Sequence, residues 1–292
     1  MVGSTGVFSP LHVVPAAGSV IAVLLWGASD FAGGCGSRRS DAFVVTAFSF
    51  ICAFAVMFAF ALATRGAFPD RASVMWALLA GSVGGFSLAI FYRSLAMGKM
   101  GLSAPIGALL GAAIPTLVDV ALEGVPSRWA IGGFVLAIVA IWLITRPEAS
   151  VESDEAGHPK GVAMAALAGV GFAGFYLSIH QASGSPIWNA TISRIGSFTA
   201  TAVAIAVIRP PLSLDRPAAA YGAIAGIFDV VASALFIYAS QRGRLDEAVV
   251  ITSLYPAVTV LLARFVLKEH FSRWKFVGLL AALAAVPLIA AG

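Results

Sequence analysis

The chain has 292 residues, of which 60% are hydrophobic and only 11% charged, against roughly 45–50% and about 25% in soluble globular proteins. So few charges cannot cover a water-facing surface, which excludes an ordinary soluble domain and makes lipid the solvent for much of the molecule. The formal charge of +4 is scattered through short connections, with no basic run dense enough for a nucleic-acid footprint, so no nucleic-acid partner is expected.

A spanning helix needs roughly 20 mostly apolar residues. Ten such runs are predicted in chain order, at 17–36, 43–64, 72–96, 101–122, 128–146, 161–181, 187–208, 218–240, 245–266 and 273–291. They are continuously apolar, whereas the strands of a membrane barrel alternate every second residue in pieces of about ten. The expected fold class is an all-α integral membrane protein with ten transmembrane helices. The first run is read as a retained helix, because no basic segment precedes Ala32-Gly33-Gly34-Cys35 as a lipoprotein signal would require. Cys35 and Cys52 both fall in or beside apolar runs and imply neither a disulfide framework nor a metal site.

The only sizeable polar stretch runs from Arg146 to Lys160. It divides the chain into a first half, 1–146, a linker, 147–160, and a second half, 161–292. The other connections are short, so consecutive helices are expected to be antiparallel neighbours. The halves repeat: Ser127-Arg128-Trp129 recurs as Ser272-Arg273-Trp274, a shift of 145. The same shift carries Gly81 onto Gly226, Phe91 onto Phe236, Gly98 onto Gly243, Lys99 onto Arg244 and Gly133 onto Gly278. Five helices per half is an odd number, so the second half enters the membrane from the opposite side. Inverted repeats with a site between them are a recurring transporter design.

Several short motifs fall in order along both halves: Trp26-Gly27-Ala28-Ser29, Phe91-Tyr92-Arg93-Ser94-Leu95-Ala96, Pro115, and Glu123 before Ser127. In the second half come Ser253-Leu254-Tyr255-Pro256-Ala257, Lys268-Glu269 and Gly278. In these the chain resembles the EamA-type members of the drug/metabolite transporter superfamily, over about residues 20–290. The resemblance implies a secondary transporter in the cell (inner) membrane that exports amino acids, other metabolites or drugs through a central cavity between the halves. It also implies both termini in the cytoplasm. Counting Lys and Arg in the loops opposes that side, with five inside against ten outside, the reverse of the positive-inside rule. An arginine in the second helix of a half is matched by Arg194, with Ser49 as its first-half counterpart. Asp30 stands where many relatives have an uncharged residue.

Ionisable groups within spans are informative, because each costs at least about 2.5–3.5 kcal/mol in hydrocarbon. Asp30 lies four residues after Trp26, on the same helical face. It is either a proton site, a counter-charge for a cationic group on the substrate, or a helix-end carboxylate satisfied by Arg38, Arg39 or water. Asp229 lies near mid-span and needs water or a partner; a buried pair with Arg194 would satisfy it. Arg194 would equally suit a substrate carboxylate. Asp119 and Glu123 read as interfacial. Phe172, Tyr176 and His180 form a stripe that serves packing or lines a cavity, and Tyr255-Pro256 interrupts the ninth helix. Tyr92 and Tyr238 offer hydroxyls or anchor at the interface. Gly81 with Gly85, Gly107 with Gly111, and Gly222 with Gly226 allow close helix approach.

The expected substrate or proton contacts are therefore Asp30, Arg194 and Asp229, with Trp26, Tyr176 and Tyr255 as cavity walls. There is no Walker loop, zinc spacing or Ser-His-Asp order. No catalytic residue, metal or cofactor is expected, and transport would run on an ion gradient or exchange. The partners expected are a small-molecule substrate and the lipid bilayer, for a monomer or homodimer. The competing readings are a non-transporting scaffold or receptor, and an intramembrane enzyme acting on lipids.

Overall fold

The computed structural model describes residues 10–97, 100–124, 127–145, 159–242, 245–252, 254–268 and 273–290. Every regular element among them is an α-helix. In chain order these are α1 (Pro10–Ser37), α2 (Ala42–Thr64), α3 (Arg71–Met97), α4 (Met100–Glu123), α5 (Arg128–Thr145) and α6 (Pro159–His180). They continue with α7 (Pro186–Ile208), α8 (Arg216–Ser240), α9 (Leu245–Thr252), α10 (Tyr255–Val266) and α11 (Arg273–Ala290). Each predicted run coincides with a helix, except that the ninth is two segments, α9 and α10, meeting just before Tyr255-Pro256. The proline ring cannot donate to the preceding turn, so the ladder is interrupted there.

Most of the expected linker, and Gly98, Lys99, Gly243, Arg244, Ser253, Glu269 and Ser272, lie outside the described residues. Asp119 and Glu123 lie on α4, and their side chains are likewise outside the description.

Seven helical stretches among the described residues are long and apolar enough to cross a membrane. Helices suit that setting because each closes its own backbone hydrogen bonds. Large apolar side chains point outward along them, among them Val207, Phe265 and Leu117, and lipid is the natural neighbour for such faces.

The helix ends are set by local chemistry. The Asp41 carboxylate accepts from the Phe43 N–H at 2.9 Å and starts α2. Asp70 accepts from the Ser73 N–H at 3.1 Å, and Asp215 from the Ala218 N–H at 2.7 Å, starting α3 and α8. These two caps are 145 positions apart. Arg65 and Arg209, which end α2 and α7, both adopt left-handed backbone with φ of 49° and 53°. Gly124 after α4 and Lys268 after α10 also have positive φ. The internal repeat seen in the sequence is thus repeated in capping geometry.

Two close approaches bind the bundle. A Cβ on Gly81 of α3 would strike the Ser193 carbonyl of α7, and a Cβ on Gly226 of α8 would strike the Ser49 carbonyl of α2. Only glycine admits backbone that near, and backbone contact replaces the hydrophobic drive that lipid removes. Beside these, α1 packs along α8, α3 along α6, and α5 along α11 at the periphery. The Tyr92 hydroxyl lies 3.1 Å from Ser29 Oγ, which donates onward to the Ala225 carbonyl at 2.9 Å, so α3, α1 and α8 are tied together by one polar chain. The tyrosine is wholly buried against Gly33; it is an interior tie and not an interfacial anchor.

Candidate functional site

The close approaches leave space at the centre. There α1 contributes Trp26 and Asp30, α2 Phe50, and α3 Gly84 and Leu88; α7 contributes Arg194, and α8 Asp229 and Ser233. Tyr176 from α6 and Tyr255 from α10 close the ring of side chains. All six residues singled out from the sequence therefore face one cavity. The free space within it is small, about 50 Å³, which is roughly room for a few waters.

Arg194 and Asp229 form a buried ion pair through the guanidinium Nη1 and carboxylate Oδ2. The other carboxylate oxygen, Oδ1, accepts from Trp26 Nε1 at 3.0 Å. The guanidinium also donates from Nη2 to Ser193 Oγ at 3.2 Å and to Ser233 Oγ at 3.3 Å, and its cationic carbon sits 5.6 Å from the centre of the Phe50 ring. The cost of burying the two charges is thus offset by mutual attraction, two hydroxyls, an indole N–H and an aromatic face. Of the readings left open for Asp229, the structure shows the pair with Arg194.

Phe50 corrects the expected counterpart of Arg194. The reciprocal glycine contacts pair Ser193 with Ser49, which are 144 positions apart, and Arg65 and Arg209 have the same spacing. The first-half position matching Arg194 is therefore Phe50 and not Ser49. The shift of 145 that holds for α3 and α8 slips by one residue in α2 and α7, so the repeat places an arginine opposite a phenylalanine.

Asp30 is placed differently. It is 5% exposed, lines the cavity, and its carboxylate has no hydrogen-bond or ion-pair partner among the described residues. Arg39, one of the partners considered for it, reaches Asp215 at 3.9 Å instead.

Aromatic rings wall the space. Trp26 stands edge-on to Tyr176 and Tyr255, with centroids 6.1 and 6.5 Å away, and Phe236 lies 5.6 Å from Trp26 and 5.0 Å from Tyr176. Phe172 of the expected stripe lines the cavity, while His180 does not. Thr259 Oγ1 donates to the Gly27 carbonyl at 3.1 Å, fixing α10, and with it Tyr255, against α1. Tyr238 instead stacks under the Arg242 guanidinium, 3.9 Å away. Among the described residues no group of three or more His, Cys, Asp or Glu side chains is arranged to hold a metal ion.

Sequence reasoning did not single out Phe50, Phe236's ring contacts, Ser233's role beside Arg194, or the Ser29–Tyr92 tie. A spacing of four between Asp229 and Ser233 was the one available signal for the third of these.

The model of the EamA-like transporter family matches this chain twice, over residues 16–146 and 159–291. The chain belongs to the EamA-like transporter family. This places it in the drug/metabolite transporter superfamily, as a multi-pass membrane protein. A crystal structure of another protein aligns with a TM-score of 0.72 over 94% of this chain and 95% of that one. Its 14% identity makes this a likeness of fold alone. A search of curated proteins returned no match.

For an EamA-like transporter, the arrangement offers a buried, mostly apolar chamber with one neutralised ion pair and one unpaired carboxylate.

Proposed function

We propose that this chain is a secondary transporter of the inner membrane. It exports small metabolites such as amino acids, or drug-like solutes, by alternating access between two inverted five-helix repeats. Proton coupling or exchange drives the cycle. The observation that carries this reading is the central cavity itself. Its walls come from α1, α2 and α3 of the first matched segment and from α6, α7, α8 and α10 of the second. A solute held there touches both segments, and rocking one against the other would expose it to each face in turn.

The matched caps and the reciprocal glycine contacts support two repeats that face one another. The glycine surfaces have no side chains to interlock, which suits sliding. The unpaired Asp30 beside a paired Arg194–Asp229 supports a binding role over a scaffold, because a purely structural interior has no use for an unsatisfied buried carboxylate. Asp30, Arg194 and Asp229 are the proposed substrate or proton contacts, and Trp26, Tyr176 and Tyr255 the walls.

The test is flux into proteoliposomes of radiolabelled amino acids, amines and dyes, with and without an imposed pH gradient. Protein-dependent flux of at least one solute, lost in Arg194→Ala, is expected. No flux of any solute under either condition counts against transport.

A further inference from the structure

Three ionisable Asp and Arg side chains face the cavity, and two of them are already satisfied by each other. Asp229 spends one oxygen on Arg194 and the other on Trp26. Arg194 spends its donors on Asp229, Ser193 and Ser233, with its face against Phe50. An anionic solute would have to break this pair to reach the guanidinium. Asp30, 5% exposed and lining the cavity, is the one of the three without a partner among the described residues, and so the one that gains a partner when a ligand enters. It sits one helical turn from Trp26, whose ring is flanked by Tyr176 and Tyr255. Aromatic faces attract cations through their quadrupole and repel anions.

Building on the transporter reading, and choosing its drug-like solutes over its amino acids, we infer that the cavity, once widened beyond its present small volume, selects organic monocations, in which an ammonium head meets Asp30 and an apolar body packs between Trp26, Tyr176 and Tyr255. An ammonium neutralises the carboxylate without disturbing the Arg194–Asp229 pair. A zwitterion would bring a carboxylate that finds the guanidinium already paired with Asp229, and a neutral solute would leave Asp30 unpaired.

Three probes share one ring and differ in charge: tryptamine is a cation, indole-3-acetate an anion and tryptophan a zwitterion. Their binding to the purified full chain in nanodiscs at neutral pH is measured by isothermal titration calorimetry. Tryptamine is expected to bind at least tenfold more tightly than either of the others. Asp30→Asn should abolish that preference, and Asp30→Glu should retain it, which separates lost charge from lost folding. Absent tryptamine binding overturns the inference. So does binding of indole-3-acetate or tryptophan as tight as that of tryptamine, or an Asp30→Asn protein that binds tryptamine like the wild type. Should Asp30→Asn fail to fold, the order of the three probes on the wild type decides alone.

Flux of the same probes into proteoliposomes separates the two claims. Tryptamine that binds while no solute crosses would contradict transport and leave the cation site standing. Flux of indole-3-acetate or tryptophan in preference to tryptamine would support transport and overturn the cation site.

Discussion

The indole nitrogen of Trp26 donates to the carboxylate of Asp229 at 3.0 Å, joining residues 203 positions apart. That bond holds the first helix against the ion pair of the second half, so the cavity wall and its electrostatics are set together. Trp26→Phe keeps an aromatic ring but leaves Asp229 Oδ1 without its donor. The expected loss is about 1–3 kcal/mol, read as a lowered midpoint in denaturant unfolding from detergent micelles.

Breaking the ion pair should cost more. Arg194→Gln strands a buried carboxylate, and removing one partner of such a pair typically costs about 3–5 kcal/mol. Combining it with Asp229→Asn should recover part of that loss, because neither charge is then left alone. A double-mutant cycle on unfolding midpoints measures the coupling; strict additivity of the two substitutions would mean the pair contributes nothing.

The glycine contacts make a separate prediction. A methyl at Gly81 or Gly226 has to displace a facing carbonyl, so Gly81→Ala and Gly226→Ala should each destabilise by about 1–3 kcal/mol through overpacking. Gly132 on α5 has nothing within 4 Å of where a Cβ would stand. Gly132→Ala should be neutral or stabilising by up to about 1 kcal/mol, since alanine is the better helix former. Thermal unfolding of the three variants in one detergent compares them directly.

Acid sensitivity should appear at the start of α3, outside the spans. The Ser73 hydroxyl, and then the Ser73 backbone N–H, hold the Asp70 carboxyl below the usual carboxylate range. A carboxyl whose folded-state pKa is depressed stabilises the fold above its unfolded value and loses that contribution as pH falls through the folded one. The wild type should therefore lose a small part of its stability below about pH 4. Melting temperatures of wild type and Asp70→Asn between pH 5 and 3 should converge as the cap is protonated.

Much of the fold was legible because hydrocarbon imposes simple rules. Run length located the helices, and Tyr255-Pro256 marked the interruption between α9 and α10. Charges in the spans pointed to Asp30, Arg194 and Asp229, because each is too costly to be incidental, and the structure brings all three to one cavity. What was not legible depends on facing positions in separate helices. Whether Ser49 or Phe50 matches Arg194 turns on a one-residue slip in α2 and α7, and nothing in local periodicity records it. Tyr92 read equally well as an interfacial anchor, since only packing reveals that Gly33 makes a slot for its ring. That Asp229 would be paired and Asp30 left alone likewise depends on which helix lies beside which.

Alternating access, as proposed, requires the chamber to open to one side of the membrane and then the other. Leu88 and Ser233 line it, whereas Val203 is exposed on the outer face of α7. With Cys35 and Cys52 first replaced by alanine, single cysteines at these three positions are treated with a membrane-impermeant thiol reagent in right-side-out and inside-out vesicles. Labelling of Leu88→Cys and Ser233→Cys from both faces, with Val203→Cys unreactive from either, is the predicted result. Cavity cysteines that react from one face alone, or from neither, would contradict it.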